Sequence, residues 1–429
     1  RPPLFDPLFQ AGLKKAGAFV WELERLCRHL RRFYLGEIID GKNLGVDDIG
    51  LIASITHQAE YNEYVAYIND EEEKILKFLE GELASCEDTT RAARLVLIYA
   101  CYKPAKRLFL SRSITKDLHN DPYVKAALFD QIEEEKTIQK LKRTIKSLSP
   151  IQDDISRKVQ DQYEENPYPR WKHASLTRYQ GMDFIAPAYR DSRNILIAGC
   201  GTGQHILSAA STYTHAKILA VDLSFSSLAY AKMKCKEYNI DNVEFLQADI
   251  LDLHRLDKKF EVIECAGVLH HMKDPEAGLK VLASLLQPQG IIKLGLYSEI
   301  ARRDVVEARQ VIEEKKFPST EEGIRECREY LRKGGFNIAN RGDFFTTSNC
   351  RDLIFHVQEH RFSWLQLKGM TERHCLEMIR VSQPKRVIEN YKAKFPDDPK
   401  CINFDNWHQY EIENPDTFGG MFEFTLKKI

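Results

Sequence analysis

The sequence predicts an α/β protein with a doubly wound parallel sheet, preceded by a helical domain and followed by an α+β region. Between residues 194 and 297, short β-branched runs alternate with helical segments, a pattern typical of a parallel sheet. Before residue 150, apolar residues recur at three- and four-residue steps, which indicates helices. We therefore divide the 429 residues into a helical domain (1–150), a central sheet domain (151–300) and a C-terminal substrate or dimerisation region (301–429).

The composition excludes several classes of protein. The chain has 62 Lys and Arg against 63 Asp and Glu, a formal net charge of -1. Without a basic excess, a nucleic-acid binder held by phosphate contacts is not expected. No apolar run approaches the roughly 18 residues that cross a bilayer, so membrane insertion is not expected either.

The cysteines and the first residues indicate the compartment. The ten cysteines form no Cys-x-x-Cys pair, which argues against zinc-ribbon and thioredoxin-like sites. Several lie in apolar runs, which is typical of free thiols in a reducing cytoplasm. Residues 1–6, RPPLFD, do not resemble a signal peptide. We expect a cytoplasmic protein, and the missing initial Met leaves upstream residues open.

Five strands and the helices between them define the predicted sheet. The central helices are predicted at 224–238 and 275–286, with two more at 301–314 and 320–333. A Pro/Gly turn near residue 415 precedes an alternating run, which predicts a terminal strand that pairs with the main sheet. The five strands are predicted at 194–198, 217–221, 243–246, 260–265 and 291–296.

The sharpest chemical motif is Ala198-Gly-Cys-Gly-Thr-Gly203, directly after the first predicted strand. Glycines there let the backbone turn tightly and approach a ligand closely. A dinucleotide fingerprint would need Gly or Ala at position 204, where this chain has Gln204, and no Gly-Lys-Ser/Thr of a P-loop follows. The spacing Gly199-x-Gly201-x-Gly203 suits a cofactor without a pyrophosphate.

Acidic residues follow the next two strands. Asp222 ends the second strand, where a carboxylate can accept both ribose hydroxyls of an adenosine. Asp249 follows the third and could accept an adenine amino group, although Asp is also a common helix N-cap. A loop with His270 and His271 follows the fourth strand. All of these elements fall at carboxyl ends of strands, where open α/β sheets bind ligands.

With these motifs, residues 194–297 resemble a class I S-adenosylmethionine-dependent methyltransferase. The resemblance implies a Rossmann-like core with a seven-stranded sheet and S-adenosyl-L-methionine as cofactor. It places the glycine loop under the methionine moiety and the first acid on the ribose. The cofactor-binding residues that it implies are Gly199, Cys200, Gly201, Gly203, Asp222, Leu223, Asp249, Ile250 and Ala266.

Segments outside the core extend the resemblance to a bacterial methyltransferase group often fused to tetratricopeptide repeats. Within that group the chain resembles the rickettsial protein-lysine methyltransferases that act on outer membrane protein B. The resemblance implies methylation of lysine in a protein substrate. A small-molecule N- or O-methyltransferase is the alternative, and a non-catalytic cofactor-binding assembly protein is a second. The segments are residues 51–64, 166–171, 296–302, 350–362 and 414–421.

The chemistry does not demand one catalytic base. A lysine amine, with an unperturbed pKa of about 10.4, loses its proton more easily near a sulfonium and in a buried site. Aromatic rings can hold the cationic nitrogen. Tyr168 and Trp171 could flank the methionine side or the acceptor, or could equally form the apolar seam that docks the helical domain. A His-His pair most often has one exposed and one structural member. The candidates for the acceptor site are Tyr168, Trp171, His271, Tyr297, Phe344, Phe345, Glu359 and His360.

The segment His356-Val-Gln-Glu359-His360 matches the inverted zincin pattern His-x-x-Glu-His. On a helix, the two histidines would share a face. Apolar neighbours such as Leu353 and Phe355 predict a buried helix, and no third ligand is identifiable, so we expect no metal site. We expect the outer regions to hold a protein substrate, and the sequence leaves a homodimer open.

Overall fold

A computed structural model of the chain describes residues 3–16, 20–110, 112–174, 189 and 191–429. No helix in these ranges is long and apolar enough to cross a membrane. The strands are β1 Lys146–Ser147, β2 Asn194–Ala198, β3 Lys217–Asp222, β4 Val243–Gln247, β5 Phe260–Ala266, β6 Leu286–Tyr297, β7 Leu376–Val381 and β8 Met421–Lys428.

The α-helices are distributed along the whole described chain. They are α1 Pro7–Lys15, α2 Trp21–Ile39, α3 Val46–Tyr61, α4 Asp70–Ser85, α5 Thr89–Ala100, α6 Arg112–Leu118, α7 Pro122–Val124, α8 Asp130–Lys142, α9 Asp154–Glu165, α10 Gln204–Thr212, α11 Phe225–Glu237, α12 Pro275–Leu285, α13 Arg303–Lys315, α14 Glu321–Lys333, α15 Thr347–Ile354, α16 Trp364–Arg373, α17 Lys385–Lys394 and α18 Phe404–Glu413.

The strands form one mixed sheet with the order β1-β4-β3-β2-β5-β6-β8-β7. All neighbours from β1 to β6 pair in parallel. Strand β8 runs antiparallel to both β6 and β7. The chain builds outward from β2 in both directions, so the order reverses there. A crevice at the carboxyl end of β2 is where such sheets bind ligands.

Both faces of the sheet are covered, which explains the near-continuous apolar strands. In β2, Leu196 and Ala198 pack into one buried cluster, and Ile195 and Ile197 pack into a second cluster on the other face. Successive strand residues point to opposite faces, so each apolar run supplies both clusters.

The predicted sheet is confirmed with small changes at strand ends. Strand β2 has the predicted bounds; β3, β4 and β5 are each one residue longer, and β6 begins earlier, at Leu286. The predicted terminal strand is β8, and it pairs with β6 over residues 421–427. The predicted seven strands become eight through the two-residue edge strand β1.

The domain division differs from the three predicted regions. The chain separates into two compact units, Arg1–Thr137 with Ala308–Phe355, and Ile138–Glu307 with His356–Ile429. We call them the helical unit and the sheet unit. The tail joins the sheet unit because β7 and β8 complete the sheet.

Within the helical unit, buried Arg328 ties residues 308–355 to residues 1–137. Its guanidinium lies 2.9 Å from the buried carboxylate of Glu24 and donates to the carbonyl oxygens of Val65 and Phe344. A buried ion pair is stable only when its remaining donors are satisfied in this way. A local sequence pattern does not predict that these segments pair, because the bonded residues lie far apart in the chain.

The rings of Phe344 and Phe345 belong to the core of the helical unit. Both are buried, and their centroids lie 6.1 and 5.0 Å from the indole of Trp21. Aromatic pairs at this spacing stabilise a core. This packing accounts for the two phenylalanines that the sequence placed among the acceptor-channel candidates.

Candidate cofactor and acceptor site

The glycine loop follows β2 at the reversal point of the sheet. Gly199, Gly201 and Gly203 have φ of +78°, +51° and +87°, in the left-handed region that favours glycine. A Cβ on Gly199 would lie 2.2 Å from a methyl carbon of Val268. The amides of Gly199 and Cys200 donate to the carbonyl oxygen of Val221 at 2.8 and 2.9 Å. The loop therefore packs tightly against neighbouring segments, with no room for a side chain at its glycines.

A second segment fastens the glycine loop. The carbonyl oxygen of Tyr168 accepts the amide of Thr202 at 3.3 Å, and the Thr202 hydroxyl donates to the carbonyl oxygen of Pro169. The indole Nε1 of Trp171 donates to the carbonyl oxygen of Thr202 at 3.2 Å. Trp171 is only 5% exposed. Trp171 thus packs against the glycine loop and half-buried Tyr168 lies beside it, while a place for either ring in an acceptor channel stays a prediction.

Asp222 lies at the end of β3 and faces this loop. One carboxylate oxygen accepts the amide of Gly201 at 2.8 Å and the other accepts the amide of Ser224 at 2.9 Å. Burial raises the pKa of Asp222 to about 6, although both amide bonds lower it. The glycine backbone and an acid thus meet as the predicted ribose site requires. Leu223 follows, and its carbonyl oxygen accepts hydrogen bonds from the side-chain nitrogens of Gln160 and Gln247.

Asp249 has a structural role of its own. Its carboxylate accepts the amide of Leu251 at 2.9 Å and caps the short 3-10 helix Ile250–Arg255. The N-cap reading is therefore observed, and contact with an adenine amino group stays a prediction. Ile250 is buried beside it, whereas Ala266 is exposed at the end of β5. These positions border the same edge of the sheet as the glycine loop.

Tyr297 lies between two flat groups at the end of β6. The ring of His270 stacks at 3.6 Å with an interplanar angle of 19°, and the guanidinium carbon of Arg302 lies 3.5 Å from the Tyr297 centroid. Both groups are in contact distance, so they occupy opposite faces of the ring. Side chains of the sheet unit thus cover both faces of the ring, and a contact between Tyr297 and a substrate cation stays a prediction.

The histidine pair after β5 is entirely buried, in contrast to the one exposed and one structural residue favoured from sequence. His270 is 0% exposed, and neither ring nitrogen has a hydrogen-bond partner among the described residues. Burial lowers its pKa well below the ordinary value, so the ring is neutral. His271 Nδ1 donates to the carbonyl oxygen of Gln358 at 2.7 Å.

His356 completes this group from a distant part of the chain. Its ring stacks on His271 with centroids 3.5 Å apart. Its Nδ1 accepts the amide of Gln358 at 3.2 Å, so Nε2 is the protonated nitrogen that donates to the hydroxyl oxygen of Tyr163, at 3.1 Å. The structure thus brings imidazoles from residues 270–271 and 356 to one end of the sheet.

The helix predicted through His356 and His360 is wrong. Helix α15 ends at Ile354, and α16 begins only at Trp364. The intervening segment instead bonds to the backbone near the end of β6. The amide of Phe362 donates to the carbonyl oxygen of Tyr297, and the amide of His360 donates to the carbonyl oxygen of His270 at 2.7 Å. The inverted zincin arrangement, which needs one helix face, is not formed.

Glu359 is a buried partner of Arg302. Its carboxylate accepts Nε and one terminal nitrogen of Arg302 at 3.1 and 2.6 Å, and it is 1% exposed. Arg361 lies 3.5 Å away. The side-chain nitrogen of Gln358 lies 3.1 Å from His360 Nε2. Glu359 therefore holds the segment in place, and a catalytic role for it stays a prediction.

Sequence reasoning missed helix α9, which carries Gln160, Tyr163 and Glu164. Its side chains reach the Leu223–Ser226 turn and the His356 ring. The available signal was a helix start at Asp153, which caps the amide of Ser156, followed by apolar residues at 155 and 159. That signal indicates a helix but not its neighbour, because its contacts lie 60 or more residues away.

Comparisons with known proteins agree with this geometry. Residues 195–290 match the profile of the Methyltransferase domain family. An uncharacterized protein of Synechococcus sp. is 34% identical over 175 residues, which are 37% of this chain and 41% of that protein. An uncharacterized protein of Rickettsia prowazekii is 34% identical over 136 residues, 30% of this chain and 54% of that protein. The chain thus spans about half the length of these relatives.

Among solved structures, PKMT2 of Rickettsia typhi in complex with AdoHcy is similar. Its sequence is 21% identical, the match covers 55% of this chain and 49% of the PKMT2 chain, and the TM-score is 0.42. A TM-score this low does not establish a shared whole-chain architecture. The matched family, the strand order and the glycine loop concern the sheet unit. Its residues 195–290 are a class I methyltransferase domain that uses S-adenosylmethionine.

Proposed function

We propose that the protein transfers a methyl group from S-adenosylmethionine to lysine side chains of a protein substrate. The observation that carries the choice of substrate is the helical unit. It has its own core and supplies no residue of the glycine loop, Asp222 or the histidine group. A metabolite needs only a closed pocket, whereas a protein acceptor needs an extended docking surface. The resemblance of residues 350–362 and 414–421 to protein-lysine methyltransferases supports the same choice.

Methyl transfer requires orientation of donor and acceptor more than acid–base chemistry. The bound cofactor supplies a methyl group on a positively charged sulfur. The glycine loop would lie beside the methionine moiety of the cofactor, and Asp222 would offer a carboxylate to the ribose hydroxyls. At the other end of the crevice, buried His271 and the His356 ring stacked on it border the place where we expect the acceptor amine. The buried His270 and the Tyr297 ring keep this end free of water.

A labelling experiment tests the proposal. The protein is incubated with methyl-labelled cofactor and bacterial lysate separated into protein and small-molecule fractions. We expect label in protein, recovered as methyllysine after acid hydrolysis, and much less label with an Asp222→Ala variant at a cofactor concentration near the wild-type Kd. Label confined to small molecules would favour a metabolite N- or O-methyltransferase. Cofactor binding without any transfer would favour a non-catalytic assembly protein.

The acid on β3 gives a prediction for cofactor binding. Asp222→Ala removes a charge-assisted acceptor worth about 1.5–3 kcal/mol, so affinity for S-adenosylhomocysteine should fall roughly 10- to 150-fold. Calorimetry of the folded variant measures this. NAD, whose pyrophosphate the loop does not suit, should not bind either protein. Unchanged affinity in a folded Asp222→Ala variant would contradict the ribose assignment.

The raised pKa of Asp222, about 6, also predicts how binding depends on pH. The ionised form accepts the ribose hydroxyls, so wild-type affinity should be constant above pH 7 and fall toward tenfold per pH unit below 6. The effect on stability has the opposite sign. The folded state binds this proton more tightly than the unfolded state, so the contribution of Asp222 to the free energy of unfolding declines as the pH rises from about 4 to 6. Asp222→Asn should flatten both profiles.

A further inference from the structure

Gln160 and Glu164 of helix α9 hold the turn that follows β3 through hydrogen bonds. We call this set of contacts the polar lock. The carboxylate of Glu164 accepts the amide of Ser226 at 3.1 Å and its hydroxyl at 2.8 Å. The same carboxylate lies 2.6 Å from Nζ of Lys142. A half-buried carboxylate with this many donors is held in one orientation. The turn from 222 to 226 is therefore tied to a helix outside the 195–290 domain.

The lock continues directly to the ribose-binding acid. The hydroxyl of Ser224 lies 3.1 Å from both the Glu164 carboxylate and the carbonyl oxygen of Tyr163. The amide of the same Ser224 donates to Asp222 at 2.9 Å. Gln160, one turn earlier on α9, donates to the carbonyl oxygen of Leu223 at 2.9 Å. Each residue between Asp222 and the start of α11 thus has a contact with α9 or with its neighbour in the turn.

We propose that Glu164 is a positioning residue for the cofactor: it holds the Asp222–Ser226 turn so that the Asp222 carboxylate faces the ribose hydroxyls. Glu164 acts through Ser224 and Ser226 and does not itself contact the ribose. The inference rests on the assignment of the ribose to Asp222 and is independent of the acceptor.

The charges around Asp222 supply a second, electrostatic effect. The like charge of Glu164 raises the pKa of Asp222, in addition to the larger effect of burial. Glu164 itself keeps its charge because Lys142 and the two Ser226 donors hold its pKa below the ordinary value despite burial. The neighbouring thiol of Cys200 stays neutral because burial raises its pKa well above the usual range. Removal of the Glu164 charge should therefore lower the pKa of Asp222.

The test compares Glu164→Gln with Asp161→Asn, a control that removes an exposed carboxylate from the same helix. Titration calorimetry with S-adenosylhomocysteine from pH 5 to 8 gives affinity and its pH midpoint. For Glu164→Gln we expect affinity about tenfold weaker at pH 8, and a midpoint shifted to lower pH. Asp161→Asn should change neither quantity. Glu164→Asp keeps the charge, so its midpoint should stay near that of the wild type while its shorter side chain weakens affinity.

Two results would overturn the proposal. One is wild-type affinity in folded Glu164→Gln. The other is weaker affinity with an unmoved midpoint, since a purely structural role would not alter the titration of Asp222. If Glu164→Gln does not fold, Ser226→Ala removes the hydroxyl that donates to Glu164 and accepts from Lys142. This variant should still weaken binding several-fold, and an unchanged affinity would refute the proposal. The assay contains no acceptor, so failure of the lysine proposal would leave this comparison intact.

Discussion

Replacement of Gly199 by alanine should lower the free energy of unfolding of the sheet unit by about 3 kcal/mol and prevent cofactor binding. Two costs add. A φ of +78° costs an L-residue roughly 1–2 kcal/mol. The new Cβ would also lie 2.2 Å from one methyl of Val268 and 2.9 Å from the other, which forces the loop or the Val268 backbone to move. Overpacking of this kind typically costs about 1–3 kcal/mol.

A matched glycine separates the two costs. Gly419, in the same unit, has φ +58° and nothing within 4 Å of an added Cβ, so Gly419→Ala should pay only the backbone term. In a double-mutant cycle, Gly199→Ala combined with Val268→Ala should recover much of the steric term. Urea unfolding followed by circular dichroism measures stability, and calorimetry measures cofactor binding. If Gly199→Ala were no less stable than Gly419→Ala, the close approach to Val268 would not constrain the loop.

The parts of the fold that the sequence predicts well are those fixed by local pattern. The run 194–198 is apolar and β-branched, and it is followed at once by three glycines in six residues. Both features depend on neighbours within a few positions, so the strand and the loop could be located together. Asp222 and Asp249 could be placed because parallel strands end at the same edge.

Long-range pairing decided what the sequence could not show. Residues 353–360 have a local apolar pattern that favours a helix, yet backbone bonds to His270 and Tyr297 hold the segment extended after Ile354. These partners lie more than 60 positions away. The same limit applies to Arg302, whose carboxylate partner Glu359 lies 57 positions away. Arg328 likewise joins residues 308–355 to residues 1–137 within the helical unit, through Glu24.

The Arg302–Glu359 pair should be the most sensitive polar contact of the acceptor end. The two side chains are 3% and 1% exposed and joined by two hydrogen bonds. Arg302→Met keeps much of the volume but leaves the Glu359 carboxylate buried with only Arg361, which is 31% exposed and 3.5 Å away. Removal of one partner of a buried pair costs about 3–5 kcal/mol, and Arg361 places the expectation near the lower value.

A second variant distinguishes the unpaired charge from lost packing. Arg302→Met with Glu359→Gln removes both charges and should recover most of the lost stability, because the buried carboxylate causes most of the cost. Urea unfolding compares the wild type, both single variants and the double variant. The two residues pair with each other at the acceptor end, so S-adenosylhomocysteine affinity should stay near that of the wild type in the double variant. Methylation of protein should nevertheless fall, since Arg302 no longer covers one face of Tyr297 and the His356–Phe362 segment loses its anchor. A double variant as unstable as Arg302→Met would show that packing on Tyr297, rather than pairing with Glu359, is what Arg302 contributes.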